Sequence, residues 1–125
     1  MRIQATKQFN FCYGHRLPEH PGKCAQWHGH NAVLEITVER NGGRTSEGNR
    51  MVMDFGTIKE IVQPSIDKFD HANLNDTFEN PTCEELAAYL FSILNLRFKE
   101  QTGNQVRVIK LKITETPTSW VMVME

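Results

Sequence analysis

The sequence predicts an α+β fold in which antiparallel strands carry helices on one face. Three observations lead there. Period-two patterning marks segments near both ends of the chain. Two segments with helical spacing lie between them. The resulting order is strand, strand, short strand, helix, helix, strand, strand, and such grouping favours a sheet covered by helices over an alternating parallel array.

The elements follow in order. From Ile3 to Phe11, the apolar residues Ile3, Ala5, Phe9 and Phe11 alternate with Gln4, Thr6, Gln8 and Asn10, which predicts a strand with one buried face. Lys7 breaks the pattern and belongs near an edge or an interface. Residues 14–29 hold two prolines, three glycines and most of the histidines and read as a loop. Ala32, Leu34, Ile36 and Val38 alternate with Val33, Glu35, Thr37 and Glu39 in a second strand. NGGR at 41–44 is a turn signal, a polar hairpin end runs on to Arg50, and Met51-Val52-Met53 predicts a short third strand or the return arm of that hairpin. Asp54 suits a helix N-cap. Ile58, Ile61, Val62, Ile66 and Phe69 recur at helical spacing, with Pro64 predicting a kink or break near residues 62–63. Thr82 followed by Glu85 is a capping-box pattern. Leu86, Leu90, Ile93, Leu94 and Phe98 then line one side of a second helix, and Gly103 suits its C-terminal cap. Strands are predicted over 106–115 and 120–124, with a bulge near Val108 where Val106 and Val108 fall out of phase with Ile109, Leu111 and Ile113.

A length of 125 residues predicts one domain, 1–125, able to bury a core without staples. The formal net charge is −1 and no basic run occurs, which argues against a partner held through a nucleic-acid backbone. No apolar run approaches the roughly 18 residues of a membrane span, and MRIQATKQF does not read as a signal peptide. Three cysteines, Cys12, Cys24 and Cys83, with no Cys-X-X-Cys pair, argue against a disulfide framework and for a reducing cytoplasm.

The chemistry concentrates in KCAQWHGHN, residues 23–31. His28 and His30 are two apart, so an extended chain offers both imidazoles on one face. His15, close behind the first strand, is the best third ligand. His20, flanked by Glu19, is an alternative. Three neutral imidazoles with one open position describe a catalytic zinc site. Adding Cys24 as a fourth ligand would make a closed structural site, and a His-X-His pair is also met as two loop histidines at a strand start. Cys24 follows Lys23, whose ammonium favours the thiolate, and a thiol beside a Lewis acid can act as a general base. Asp70 next to His71 can hold an imidazole in one tautomer, although such pairs commonly serve turns. Alternation puts Glu115 on the apolar face with Leu111 and Ile113, where a carboxylate is costly unless paired or used. Such a carboxylate could accept from a ring N–H and an amino group of a heterocycle. Cys12 and Cys83 read as packing residues.

Five stretches, FNFCYGHRL, KCAQWHGHN, FDHANLND, NPTCEEL and ITET, span residues 9–116. In this order they resemble the family of 6-pyruvoyltetrahydropterin and 6-carboxytetrahydropterin synthases. The resemblance implies the tunnelling fold: a four-stranded antiparallel sheet with two helices on one face, oligomerising sheet to sheet into a β-barrel. It implies a homohexamer of two trimers with active sites between subunits. It implies Zn2+ on His15, His28 and His30, Cys24 as catalytic base or nucleophile-like thiol, Asp70 and His71 as a proton relay, and Glu115 as the pterin anchor. Thr82 and Cys83 fall among the implied substrate contacts, and Arg16 and Lys23 are candidates for the triphosphate. Three residues between Cys24 and His28 resemble the 6-carboxy branch of the queuosine pathway, whereas the 6-pyruvoyl branch more often has five. The implied reaction converts 7,8-dihydroneopterin triphosphate to 6-carboxy-5,6,7,8-tetrahydropterin with loss of triphosphate and acetaldehyde. A 6-pyruvoyl product, a 6-hydroxymethyl pterin and a non-catalytic zinc-stapled assembly module are the alternatives. The chain departs from the family's pattern at Cys12 and Tyr13, where small residues are usual, and at Cys83, where serine or threonine is common.

Overall fold

The computed structural model describes residues 1–125. Seven elements follow one another: β1 (Gln4–His15), β2 (His28–Arg40), α1 (Phe55–Phe69), β3 (Ala72–Asn73), α2 (Cys83–Gln101), β4 (Val106–Thr116) and β5 (Ser119–Met124). Short 3-10 turns occupy Lys23–Ala25, Asn41–Gly43 and Leu74–Asp76. The sheet order is β3-β1-β2-β4-β5. β1, β2, β4 and β5 pair antiparallel, as expected. The expectation of four strands alone is corrected: β3 adds a fifth, parallel to β1 through Tyr13↔Ala72 and Gly14↔Asn73, so the sheet is mixed. Two residues are too few to leave a periodic signal.

The strands outrun their apolar patterns. β1 continues to His15 and β2 begins at His28, so the expected loop 14–29 shrinks to 16–27. The added residues pair with each other, His15 opposite His28 and Tyr13 opposite His30, and pairing rather than apolarity extends the ladder. The expected strand at Met51-Val52-Met53 does not form. Val52 is buried in the core while its carbonyl accepts from the Arg40 guanidinium at 3.3 Å. The segment lies near Ile3, Gln4, Ala5 and Thr6, with which it lines a cavity, but makes no ladder with them. Gly42 and Gly43 take φ of 83° and 72° in the turn after β2, a conformation that admits glycine readily.

Asp54 caps α1 by accepting from Gly56 and Thr57 N–H groups. The helix runs through Pro64 without a break. Ile61 and Val62 before the proline and Ile66 and Phe69 after it are all buried, so packing on the sheet holds both halves in line despite the missing N–H. Thr82 caps α2 by accepting from Glu85 N–H at 3.1 Å. Gly103, at φ 60°, follows the C-cap residue Thr102. The predicted bulge lies beside Val108: Thr37 pairs with Lys110 and Val38 with Val108, leaving Ile109 over.

Both helices cover one face of the sheet. Phe9, Phe11, Leu34, Ile36, Leu111 and Ile113 meet Ile58, Phe69, Leu86, Leu90 and Phe98 in one apolar cluster. No helix is long and apolar enough to cross a membrane.

Candidate metal centre and cavity

The core face of the sheet changes character at one end. Along β1 the inward residues read Phe9, Phe11, Tyr13, His15, and along β2, in reverse, Leu34, Ala32, His30, His28. The alternation that builds the core therefore also aims three imidazoles to one place. Their donor nitrogens lie within 4.8 Å of one another, and His30 Nε2 stands 3.1 Å from His15 Nε2. His15 Nδ1 pairs with the Pro81 carbonyl at 2.7 Å, and His28 Nδ1 with the Gln26 carbonyl at 2.7 Å. A ring whose Nδ1–H donates to a carbonyl presents Nε2 as a lone-pair acceptor. Burial lowers the pKa of His30, which favours the neutral ring that a metal ion requires. The donor set fits a divalent ion of the zinc type: three imidazole nitrogens, two of them on rings oriented by carbonyls behind them, with the Cys24 sulfur outside the group.

Glu115 approaches from β4. Its side chain is 22% exposed, with Oε1 at 3.6 Å from His30 Nε2. Tyr13 donates its hydroxyl to Glu115 Oε2 at 2.5 Å, so the carboxylate on the apolar face is paired. Burial, and then Glu115, raises the Tyr13 pKa and keeps the phenol a donor. Burial pushes the Cys83 thiol up to about 12, with the Glu115 charge adding to it, so Cys83 stays neutral.

Asp70 and His71 follow α1 directly. Cys12 N–H donates to Asp70 Oδ1 at 2.9 Å, and His71 N–H donates to the Cys12 carbonyl at 2.5 Å. His71 adopts φ 59°, which turns its ring back toward the Asp70 carboxylate, Nδ1 to Oδ1 at 3.1 Å. The Cys12 N–H, and after it the His71 ring, holds the Asp70 carboxyl below its usual range. His71 lines the same cavity of about 660 Å³ as Trp27, His28 and His30, a volume in the usual range for a small-molecule site.

The remaining candidates are more scattered. Cys24 is half-buried in the Lys23–Ala25 turn, which is tied to β1's end by a Leu17 N–H to Cys24 carbonyl bond of 2.8 Å. Lys23 is exposed. Arg16, also exposed, stands over the Trp27 ring with its guanidinium carbon 5.8 Å from the centroid. The Thr82 hydroxyl is engaged as the α2 cap and the Cys83 thiol is buried near the Ile113 carbonyl. His20 accepts from Gly22 N–H in an exposed local turn and does not join the imidazole group. Two residues escaped the sequence reading as site members, Tyr13 and Trp27. Extending the β1 alternation by one step beyond Phe11 would have placed Tyr13 on the face of His15.

The family described as 6-pyruvoyl tetrahydropterin synthase matches residues 4–125. A protein of Archaeoglobus fulgidus named putative 6-carboxy-5,6,7,8-tetrahydropterin synthase is 36% identical over 111 residues, covering 89% of this chain and 86% of the relative. A Rickettsia conorii protein named 6-carboxy-5,6,7,8-tetrahydropterin synthase is 34% identical over 142 aligned positions, covering 97% of this chain and 99% of the relative. Among solved structures, the 6-pyruvoyl tetrahydropterin synthase of Caenorhabditis elegans superposes with a TM-score of 0.83 at 25% identity, covering 98% of this chain and 95% of that one.

Proposed function

The chain belongs to the 6-pyruvoyl tetrahydropterin synthase family, and on that premise we propose that it is a lyase converting 7,8-dihydroneopterin triphosphate to 6-carboxy-5,6,7,8-tetrahydropterin, with release of triphosphate and acetaldehyde. This is the step that opens the carbon skeleton toward queuosine-type 7-deazaguanines. The names carried by relatives spanning nearly the whole chain support the 6-carboxy product. The observation that carries the reading is the convergence of His15, His28 and His30 on one point beside a cavity that also holds His71.

His15, His28 and His30 would hold Zn2+. When bound, the ion supplies Lewis-acid chemistry, polarising side-chain oxygens and acidifying the neighbouring C–H bonds. Cys24 takes a proton as the base. Asp70 fixes His71 in one tautomer, and His71 carries a proton to or from the substrate side chain. Glu115 holds the pterin by accepting from its ring N–H and amino group. Tyr13 occupies only part of the acceptor capacity of that carboxylate, which has about four lone-pair sites. Exposed Arg16 and Lys23 are available to the triphosphate, and Thr82 and Cys83 border the pterin. One domain, 1–125, contains all of these residues.

Two features of the sheet support assembly. β3 pairs with Tyr13 and Gly14, and Asp70 and His71 engage the backbone of Cys12, so the earlier part of the β1 edge has no strand partner, and β5 leaves the opposite edge open. The uncovered face bears exposed Trp120, Met122 and Met124. Edge-to-edge closure into a trimeric barrel, and stacking of two trimers, would satisfy both features. Three free cysteines suit a reducing cytoplasm.

Incubation with 7,8-dihydroneopterin triphosphate and mass analysis of the products tests the reaction. A 6-carboxy product with acetaldehyde is expected. A 6-pyruvoyl product without acetaldehyde would move the chain to the other branch. No turnover, with unfolding on chelation, would mark a zinc-stapled assembly module instead.

A further inference from the structure

The reaction proposed above leaves the Cys12 thiol unused. Alternation along β1 turns Cys12 away from the core face that bears Tyr13 and His15. There it meets Asp70 and His71. The Cys12 sulfur, a carboxylate oxygen of Asp70 and a ring nitrogen of His71 all lie within 4.8 Å of one another. The grouping is held by backbone as well as by side chains: Cys12 N–H to Asp70 Oδ1, His71 N–H to the Cys12 carbonyl, and the pairing of Tyr13 with Ala72 next door. Both the Cys12 N–H and the His71 ring address Asp70 Oδ1, leaving Oδ2 without a protein partner. The thiol itself points to Asn31 Oδ1 at 2.9 Å. A recess of about 410 Å³ opens on Cys12, Asn31, Asp70 and His71, large enough to admit an ion with part of its water shell.

We propose that Cys12, Asp70 and His71 form a second divalent-cation site, suited to Zn2+, whose occupation withdraws Asp70 and His71 from proton transfer. Thiolate, imidazole and carboxylate together are donors that zinc accepts and that the hard ions Mg2+ and Ca2+ do not favour. Three donors leave one position for water. The site fills after the imidazole triad because His71, with its side chain 79% exposed, must be ordered on binding, whereas two of the triad's rings, His15 and His28, are already fixed by the Pro81 and Gln26 carbonyls. Excess metal would then slow the enzyme that the first equivalent activates. The blocking half of this proposal rests on the relay role assigned above; the binding half does not.

The test uses full-length protein loaded with one Zn2+ per protomer and titrated with Co2+, which does not displace zinc readily from a nitrogen site. A thiolate-to-cobalt charge-transfer band in the near ultraviolet is expected, saturating at one cobalt per protomer. It should vanish in Cys12→Ser and persist in Cys24→Ala. No band in the wild type, or a band that survives Cys12→Ser, overturns the site. Turnover supplies the second arm. At free Zn2+ ten times the dissociation constant of this site, occupancy alone predicts about ten-fold suppression in the wild type. Cys12→Ser, compared with its own rate at one equivalent, should show none. A Cys12-dependent band with undiminished turnover overturns the blocking half. Absence of product at one equivalent of zinc would overturn the reaction itself and leave the cobalt result standing.

Discussion

The two ends of β2 carry polar clusters built on opposite plans. At its far end, Glu39 accepts from Arg2 at 2.8 and 3.0 Å and from Arg107 at 3.0 Å, and Arg107 also donates to Glu125. Charge meets charge there, and the Glu39 carboxyl falls from 4.5 to about 2, chiefly through the Arg2 bond. At the near end, His15 and His28 satisfy their Nδ1 atoms on backbone carbonyls, His15 Nε2 faces His30 Nε2 at 3.1 Å, and donor nitrogens of all three rings lie within 4.8 Å of one another. A saturated cluster closes a structure. A cluster of converging imidazole nitrogens with no opposite charge paired to each is suited to receive a cation. The difference separates scaffold from site without reference to any relative.

Substitutions at the two ends should therefore fail in different ways. The largest effect is expected for His28→Ala, which removes one of three acceptors. Metal content should fall below one per protomer and turnover by roughly a thousand-fold or more, since Lewis-acid stabilisation is worth several kcal/mol and each 1.4 kcal/mol is a decade. Thermal unfolding of the metal-free protein should change little, because the apolar core lies elsewhere along the strands. Cys24→Ala comes next. It should keep its metal and lose about 10²–10⁴-fold in turnover, the usual worth of a general base; loss of metal in this variant would make Cys24 a ligand and undo the scheme.

At the saturated end the expected effect is on stability and depends on pH. The folded Glu39 carboxyl is depressed, so its contribution is present above pH 4.5 and disappears as pH falls toward about 2. Denaturant midpoints of Glu39→Gln should lie below wild type at neutral pH and converge with it near pH 2, with turnover per folded molecule unchanged. A constant gap across that range would contradict the assignment. The smallest effect is expected for Thr82→Ala, which removes the α2 cap at a cost of about 1 kcal/mol in chemical denaturation. A larger loss in substrate affinity than in stability would give Thr82 a role at the pterin beyond capping.

Much of this was legible in the sequence, and the limits have physical reasons. Alternation showed the four long strands because each has one buried face, and the Asp54 and Thr82 caps marked both helices. His28 and His30 were readable as a pair because a strand repeats every two residues. Ala72 and Asn73 were not readable as a strand: their pairing to β1 is set by the His71 turn, not by side-chain pattern. Met51-Val52-Met53 misled because one buried residue, Val52, suffices to close an edge without strand pairing. Pro64 misled because local backbone cost was outweighed by burial on both sides. The Tyr13–Glu115 bond joins residues 102 apart and needed the register of three strands to appear.

In the proposed function, three imidazoles would bind the first metal ion without a thiolate. X-ray absorption at the zinc edge, on protein carrying one zinc per protomer, tests it most directly. First-shell scattering from nitrogen and oxygen alone, at about 2.0–2.1 Å with imidazole multiple scattering, is the predicted result. A sulfur shell near 2.3 Å at that stoichiometry would contradict it.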